Sequence, residues 1–326
     1  MKTDTAKKIE SYIAKNKQAT AKELADFLAI SPQALFKQLA KLQSKEKIYK
    51  IGTPPKVFYL IKDIENVESP DLNIDKSDRK IIDENYLFIT PSGERKEGLQ
   101  GFKYWCNKTK QPLEKTAREY VRIWHKYNSL KRDGVIDGTN KLKSTFPTVY
   151  LNRLFYLDFY SIERFGKTKL GQLLLYAKQS QNVKMIKELI MDIKPHVQYL
   201  IKKFKIDAVA FVPPTVKREI QFMKELERHL NLDIKKIPVL KIKTEVSVPQ
   251  KTLNKLEDRI ENAQKTMLIE SRNYYKNILI IDDAVGSGAT INEVAAQIKH
   301  KKLGKGKIIG LAITGSFKGF DVISEV

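Results

Sequence analysis

Asn277-Ile-Leu-Ile-Ile-Asp-Asp-Ala-Val-Gly-Ser-Gly-Ala-Thr290 decides how this chain folds. Ile278 to Ile281 form an unbroken apolar run, the pattern of a strand buried on both faces of a parallel sheet. Asp282 and Asp283 stand at its carboxyl end. The small turn Gly286-Ser287-Gly288 leads through Thr290 into an apolar-periodic helix, Ile291 to Ile298. A strand, a Gly-rich loop and a helix in this order gather backbone N–H groups and a helix N-terminus around one point, which suits a phosphate. Carboxylates beside it suit sugar hydroxyls or a Mg2+ ion. The plainer alternative is an ordinary βα turn.

Outward from this stretch the elements alternate. Helical periodicity runs through Gly171–Tyr176 and again from Val183 to Phe204. Ala208–Val212 reads as a strand ending at Pro213-Pro214, with a helix to about His229. Val239–Ile242 reads as a second strand, a charged helix covers about Leu253 to Gln264, and Ile308–Ile313 is the last strand. This alternation predicts an α/β class fold with a doubly wound parallel sheet. Ligands of such sheets bind at the carboxyl ends of strands, where Pro213-Pro214 and Asp282-Asp283 both fall.

The 277–290 stretch resembles the phosphoribosyl-pyrophosphate (PRPP) signature of type I phosphoribosyltransferases. Val212-Pro-Pro-Thr-Val-Lys-Arg218, with Pro249-Gln-Lys-Thr-Leu253, Arg259 and Asn262, narrows the resemblance to the ComF group, over roughly residues 160–320. Three departures stand out. The zinc finger usual in that group is replaced by another N-terminal segment. Arg259 and Asn262 lie one residue further from Gln250 than in the group. Ala284 and Gly286 occupy positions where a β-branched residue and a hydroxyl are usual.

The resemblance implies roles. Val285, Gly286, Ser287, Gly288, Ala289 and Thr290 would hold a 5′-phosphate. Asp282 and Asp283 would take the ribose hydroxyls as the catalytic pair and would bind Mg2+. Pro214, Thr215 and Lys217, with Arg218, would hold pyrophosphate. The segment Lys243 to Arg259 would be a mobile loop closing over it, with Arg259 among the substrate contacts. For Arg218 and Arg259, a solvated surface role is the competing reading.

The front of the chain has a different pattern. Ile9, Tyr12 and Ile13 mark a first helix over about 4–15. Thr20 and Glu23 form a capping box for a second helix with Leu24, Phe27 and Leu28 on its apolar stripe. Ser31-Pro32 opens a third helix that buries Leu35, Leu39 and Leu42. Lys47–Ile51 and Val57–Leu60 flank the proline-bearing tip Gly52–Lys56, a β-hairpin. The order resembles a winged helix-turn-helix, in which Gln33, Lys37, Gln38, Lys41 and Lys56 would face DNA. Residues 1–64 carry thirteen lysines, no arginine and six acids. A winged helix serving protein–protein contacts is the alternative.

Three domains are therefore expected: a winged helix-turn-helix over 1–64, a linker with a largely helical segment over 65–150, and a phosphoribosyltransferase-like domain over 151–326. Within the middle piece, Asp63–Asp83 reads as linker, Tyr86–Ile89 as a strand and Lys115–Tyr127 as an amphipathic helix. The aromatic residues from Phe146 to Phe165 read as core or as the face of a homodimer, in preference to base stacking. Cys106, the sole cysteine, sits among Phe102, Tyr104 and Trp105 and reads as a packed thiol. It excludes a disulfide framework. His125 reads as structural.

A net charge of +22, from 60 basic and 38 acidic residues, favours a polyanionic partner such as DNA. A lysine-rich solvated surface is the bland alternative. No apolar run approaches the roughly 20 residues of a membrane span, and the polar N-terminus lacks a signal-peptide core, so a cytoplasmic setting without membrane contact is expected. The leading function is a DNA-binding protein whose second domain binds PRPP or a related ribose phosphate and catalyses phosphoribosyl transfer. Alternatives are a non-catalytic PRPP-sensing regulator, resembling purine-operon repressors, and a nucleotide-modifying effector of phage defence, resembling retron-associated toxins.

Overall fold

A computed structural model describes residues 5–61, 74–216, 218–242, 245, 246, 248 and 252–316. The chain divides into two compact units, residues 1–72 and 73–326.

In the N-terminal unit, α1 (Thr5–Asn16), β1 (Ala19–Thr20), α2 (Ala21–Leu28), α3 (Pro32–Ser44), β2 (Ile48–Thr53) and β3 (Lys56–Ile61) follow one another. The sheet runs β1-β3-β2, antiparallel throughout. Both helix starts are set by side chains. The Thr20 hydroxyl accepts from Glu23 N while Thr20 N donates to the Glu23 carboxylate at 2.7 Å, and the Ser31 hydroxyl accepts from Ala34 N. Such a cap contributes about 1 kcal/mol. Ile9, Ile13, Leu24, Leu35, Leu39 and Leu42 close the core. Phe27 departs from expectation: it is 53 % exposed and lies over Tyr12, ring centroids 4.4 Å apart. With only eight residues, α2 commits Leu24 to the core and leaves Phe27 at the rim.

The C-terminal unit begins with α4 (Lys76–Asn85), the hairpin β4 (Leu87–Ile89) and β5 (Arg95–Glu97), α5 (Gly98–Lys108) and α6 (Leu113–Asn128). Tyr86, Phe102, Trp105, Tyr120 and Phe165 form one aromatic cluster here. Cys106 is fully buried, and burial pushes its thiol up to about 12. A two-fold hydrogen bond from Arg95 to Glu188 (2.6 and 2.7 Å) ties the hairpin to the main body.

Next come β6 (Lys131–Arg132), β7 (Val135–Asp137), α7 (Thr139–Thr145), β8 (Arg153–Phe159), α8 (Lys169–Gln179), α9 (Val183–Phe204), β9 (Ala208–Phe211), α10 (Phe222–Leu230), β10 (Lys235–Ile237), β11 (Val239–Lys241), α11 (Leu256–Thr266), β12 (Met267–Ile269), β13 (Ile278–Val285), α12 (Ala289–His300) and β14 (Ile308–Gly315). Seven of these described strands form one sheet in the order β10-β9-β13-β14-β8-β7-β6. The pairs from β10 to β8 are parallel, and β7 and β6 add an antiparallel edge. The fold class is thus α/β with a mostly parallel sheet. Leu279, Ile281, Ile309, Leu311 and Ile313 face α8, α9 and α10 in one core.

The topology positions the site. β9 and β13 are neighbours, yet the chain leaves β9 through α10 toward β10 and leaves β13 through α12 toward β14 on the other side. Adjacent strands whose connections diverge in this way open a crevice at their carboxyl ends, where ligands of open α/β sheets bind.

Several local expectations shift. The stretch expected as linker up to Asp83 holds α4 from Lys76; residues 62–73 lie outside those described. β6 and β7, from the segment expected to be largely helical, extend the main sheet. Val239–Lys241 is a strand, but it pairs antiparallel with β12 apart from the main sheet. The parallel edge place goes instead to Lys235-Lys-Ile237, whose lysines point to solvent. Asp282 and Asp283 lie inside β13, which continues to Val285.

Candidate functional site

At the carboxyl ends of β9 and β13 a cavity of about 160 Å³ is lined by Pro214, Thr215, Arg218, Arg259, Asp282, Asp283 and the whole loop Val285–Thr290. A water needs roughly 10–15 Å³ of such space, so the cavity has room for a ligand. Of the residues expected at the site, Lys217 lies outside the described residues, as do Lys243, Thr244, Ser247 and 249–251 of the expected mobile loop. The other substrate-binding and acidic residues expected at the site line this one cavity, but of the described residues of the expected mobile loop only Arg259 does.

The loop is built for close approach. Gly288 caps α12 with φ +90°, a left-handed conformation that a side chain rarely tolerates. A Cβ there would also sit 2.5 Å from Leu142 Cδ1 of α7. With no side chain at the cap, the first turn of α12 presents backbone N–H groups. Ser287, 8 % exposed, accepts a long bond from Ala289 N. Asn292 fixes the back of the loop by accepting from Tyr150 N and donating to Thr148 O.

The two acids have separate surroundings. Successive strand residues project to opposite faces, and Asp283 faces α8, where it accepts from Lys178 Nζ at 2.6 Å. Lys178 is 9 % exposed. Asp282 accepts from Asp283 N at 2.8 Å with one carboxylate oxygen. Burial, and then the neighbouring Asp283 charge, raise its pKa well above the usual aspartate range. Asp282 and Asp283 are thus unequal: one is matched by a cation and the other is pushed toward the protonated form.

Arg259, 5 % exposed, reaches the cavity wall from α11, with its Nε donating to Leu253 O at 2.7 Å. Burial lowers its pKa. Arg218 follows β9 in a turn pinned by Gln221 Nε2 to Arg218 O and by Ile220 N to Gln181 Oε1. Three cations (Lys178, Arg218, Arg259) and two acids therefore face one space, an excess of positive charge suited to a phosphorylated ligand.

Lys178 is the participant that motif reading misses. Its signal lies in periodicity: it stands four residues after Leu174 and seven after Gly171, on the buried face of α8. A lysine inside an apolar stripe requires a partner.

Magnesium is usually held by one or two carboxylates together with substrate phosphates. Asp282 is the acid open to that mode, because Asp283 already holds an ammonium, and a cation there would have to displace the proton that burial favours. Among the described residues no group of three or more His, Cys, Asp or Glu could hold a metal by itself.

In the N-terminal unit Gln33, Lys37 and Lys41 are exposed along α3, Gln38 is half-buried, and the Lys56 side chain lies outside those described. Among the described residues no helix is long and apolar enough to cross a membrane.

A family model described as dUTPase matches residues 56–209, just under half of the chain. It runs from β3 into β9, includes Lys178 and stops short of the loops after β9 and β13. No curated protein matches. Solved structures with some likeness include a hypoxanthine-guanine phosphoribosyltransferase from Bacillus anthracis (14 % identity, TM-score 0.24, 40 % of this chain and 79 % of that one). A hypoxanthine phosphoribosyltransferase from Staphylococcus aureus is 14 % identical, with TM-score 0.25 and coverage of 42 % and 79 %. An adenine phosphoribosyltransferase from Leishmania tarentolae is 12 % identical, with TM-score 0.25 and coverage of 49 % and 90 %.

Proposed function

We propose that the C-terminal unit binds PRPP or a related ribose 5-phosphate and transfers its phosphoribosyl group. One observation carries this reading: the glycine-capped N-terminus of α12, the acid pair, and Pro214, Thr215 and Arg218 share one cavity at the point where the connections of β9 and β13 diverge. The 5′-phosphate is assigned to Val285–Thr290, the ribose hydroxyls to Asp282 with Asp283 beside it, and the pyrophosphate to Thr215, Arg218 and Arg259.

In the transfer, the bond from ribose C1 to the pyrophosphate oxygen breaks and its electron pair leaves with pyrophosphate. A nucleophile on the acceptor then forms the new bond to C1. The developing positive charge on the sugar and negative charge on the leaving group need fixed counter-charges, which cost nothing to reorganise once built in. Bound with the substrate phosphates, Mg2+ would offset charge on the leaving group. Sensing without turnover is favoured by a separate observation: the Lys178 ammonium already occupies Asp283, so fewer carboxylate oxygens are open to the sugar.

We further propose that the N-terminal unit is a winged helix that binds DNA. Support comes from the order α1-β1-α2-α3-β2-β3, the side-chain-capped third helix and its exposed Gln33, Lys37 and Lys41.

The ribose-phosphate reading is tested by thermal denaturation with PRPP and Mg2+. Asp282→Asn with Asp283→Asn is expected to abolish the ligand-induced rise in Tm; an undiminished rise overturns the assignment. Release of pyrophosphate with a panel of bases distinguishes transfer from sensing.

A further inference from the structure

β13, which carries the acid pair toward its carboxyl end, starts at the opposite end of the sheet, about 25 Å away for eight residues at roughly 3.3 Å each. That end is strongly basic. The chain there reads Lys299-His-Lys-Lys-Leu-Gly-Lys-Gly-Lys307, Arg272-Asn-Tyr-Tyr-Lys276 and Lys202-Lys-Phe-Lys205, with no acid in any of the three segments.

A single buried side chain draws them together. Asn277, 8 % exposed, donates to Phe204 O and Lys205 O at 3.0 and 3.1 Å and accepts from Lys307 N at 2.8 Å. Gly306 N donates to Lys276 O, and Lys305 N donates to Tyr275 O. Lys205, Lys276, Lys305 and Lys307 are all exposed around this anchor. Two acids lie beside these segments: half-buried Asp207 accepts from Lys276 N and Asn277 N, and Asp133 pairs with Lys203 Nζ at 3.1 Å.

Tyr274 adds a second element. It is 66 % exposed in the midst of these lysines, with the Lys305 ammonium 5.7 Å from its ring centroid. Lysines that track a phosphate backbone, interleaved with an exposed aromatic ring that can stack a base, describe the surface of proteins that hold unpaired strands. A duplex keeps its bases stacked away from such a ring. The backbone that carries the charges is pinned by Asn277, so little ordering remains to be done on binding.

We propose that this end of the sheet is a second polyanion-binding surface, taking single-stranded nucleic acid. It is independent of the ribose-phosphate cavity and of α3.

The test is fluorescence anisotropy on the full chain with labelled (dT)20 and with a 20-base-pair duplex, in a Lys37→Glu/Lys41→Glu background to silence α3. Lys276→Glu/Lys305→Glu/Lys307→Glu is expected to lower (dT)20 affinity by about tenfold or more and to reduce the salt slope by about 2, at about 0.7 for each phosphate left without its cation. Tyr274→Ala is expected to lower (dT)20 affinity about fivefold or more, as one stacked base is worth, and to leave duplex binding unchanged. A cooperative thermal transition at the Tm of the unsubstituted chain shows that the variants are folded. Unchanged (dT)20 affinity in the lysine variant overturns the proposal, including the case in which only binding to phosphatidylserine vesicles is lost. Equal losses for single strand and duplex in the lysine variant, with no effect of Tyr274→Ala, overturn the single-strand assignment.

Discussion

Lys178 Nζ lies 2.6 Å from Asp283 Oδ2, joining α8 to the acid pair of β13 with both side chains largely buried. Breaking a buried pair from one side strands the remaining charge, at about 3–5 kcal/mol. Lys178→Met is therefore expected to lower the Tm of the C-terminal unit by roughly 6–20 °C, at about 2–4 °C per kcal/mol for a unit of this size. Lys178→Met combined with Asp283→Asn is expected to recover most of that loss. A double variant no more stable than the single one would show that the pair is not coupled.

Asp282 supplies a pH dependence of known sign. Its pKa is raised in the folded chain, so the folded state holds a proton that the unfolded state has released. The resulting stability is fully present below the unfolded value, near 4, and is lost as pH rises through the raised value. Urea midpoints measured from pH 4 upward are expected to show a falling component that disappears in Asp282→Asn. The same profile in both proteins would remove Asp282 as its source.

Gly288 connects backbone geometry to ligand binding. Gly288→Ala forces a side chain into a left-handed cap, at about 1–2 kcal/mol, and against Leu142. A modest drop in Tm and a disproportionate loss of the PRPP-induced shift are expected. Adding Leu142→Ala relieves the contact but not the backbone strain, so the ligand response should return only in part.

For the N-terminal unit, Lys37→Glu with Lys41→Glu is expected to weaken duplex binding and to flatten its dependence on salt. Equal affinity in the double variant would remove α3 from the DNA interface.

The parts of this fold that were legible from sequence are those whose pattern is local. Ile278–Ile281 fills both faces of a strand by itself, Val183–Phe204 keeps its helical period over its whole length, and Thr20 and Ser31 announce their helices through caps. What escaped depends on partners distant in the chain. β10 is three residues, two of them lysine, and is a strand only because β9 offers it an edge. β8 read as an aromatic cluster because it is buried almost throughout and lacks alternation. Val239–Lys241 has strand character, but nothing in those residues says that β12 is its partner. At the cavity the loop and acids were visible as a motif, whereas Lys178 enters from 105 residues away.

The short strands that end the main sheet have a consequence of their own. At one end stands Arg132 and at the other Lys235, both exposed and each within a strand of two or three residues. A sheet that stops on a long apolar strand offers unpaired N–H and C=O groups to any passing chain; brevity and charge deny that template. Part of the basic excess thus guards the protein against its own copies: two molecules meeting edge to edge would bring like charges together before a single backbone bond could form.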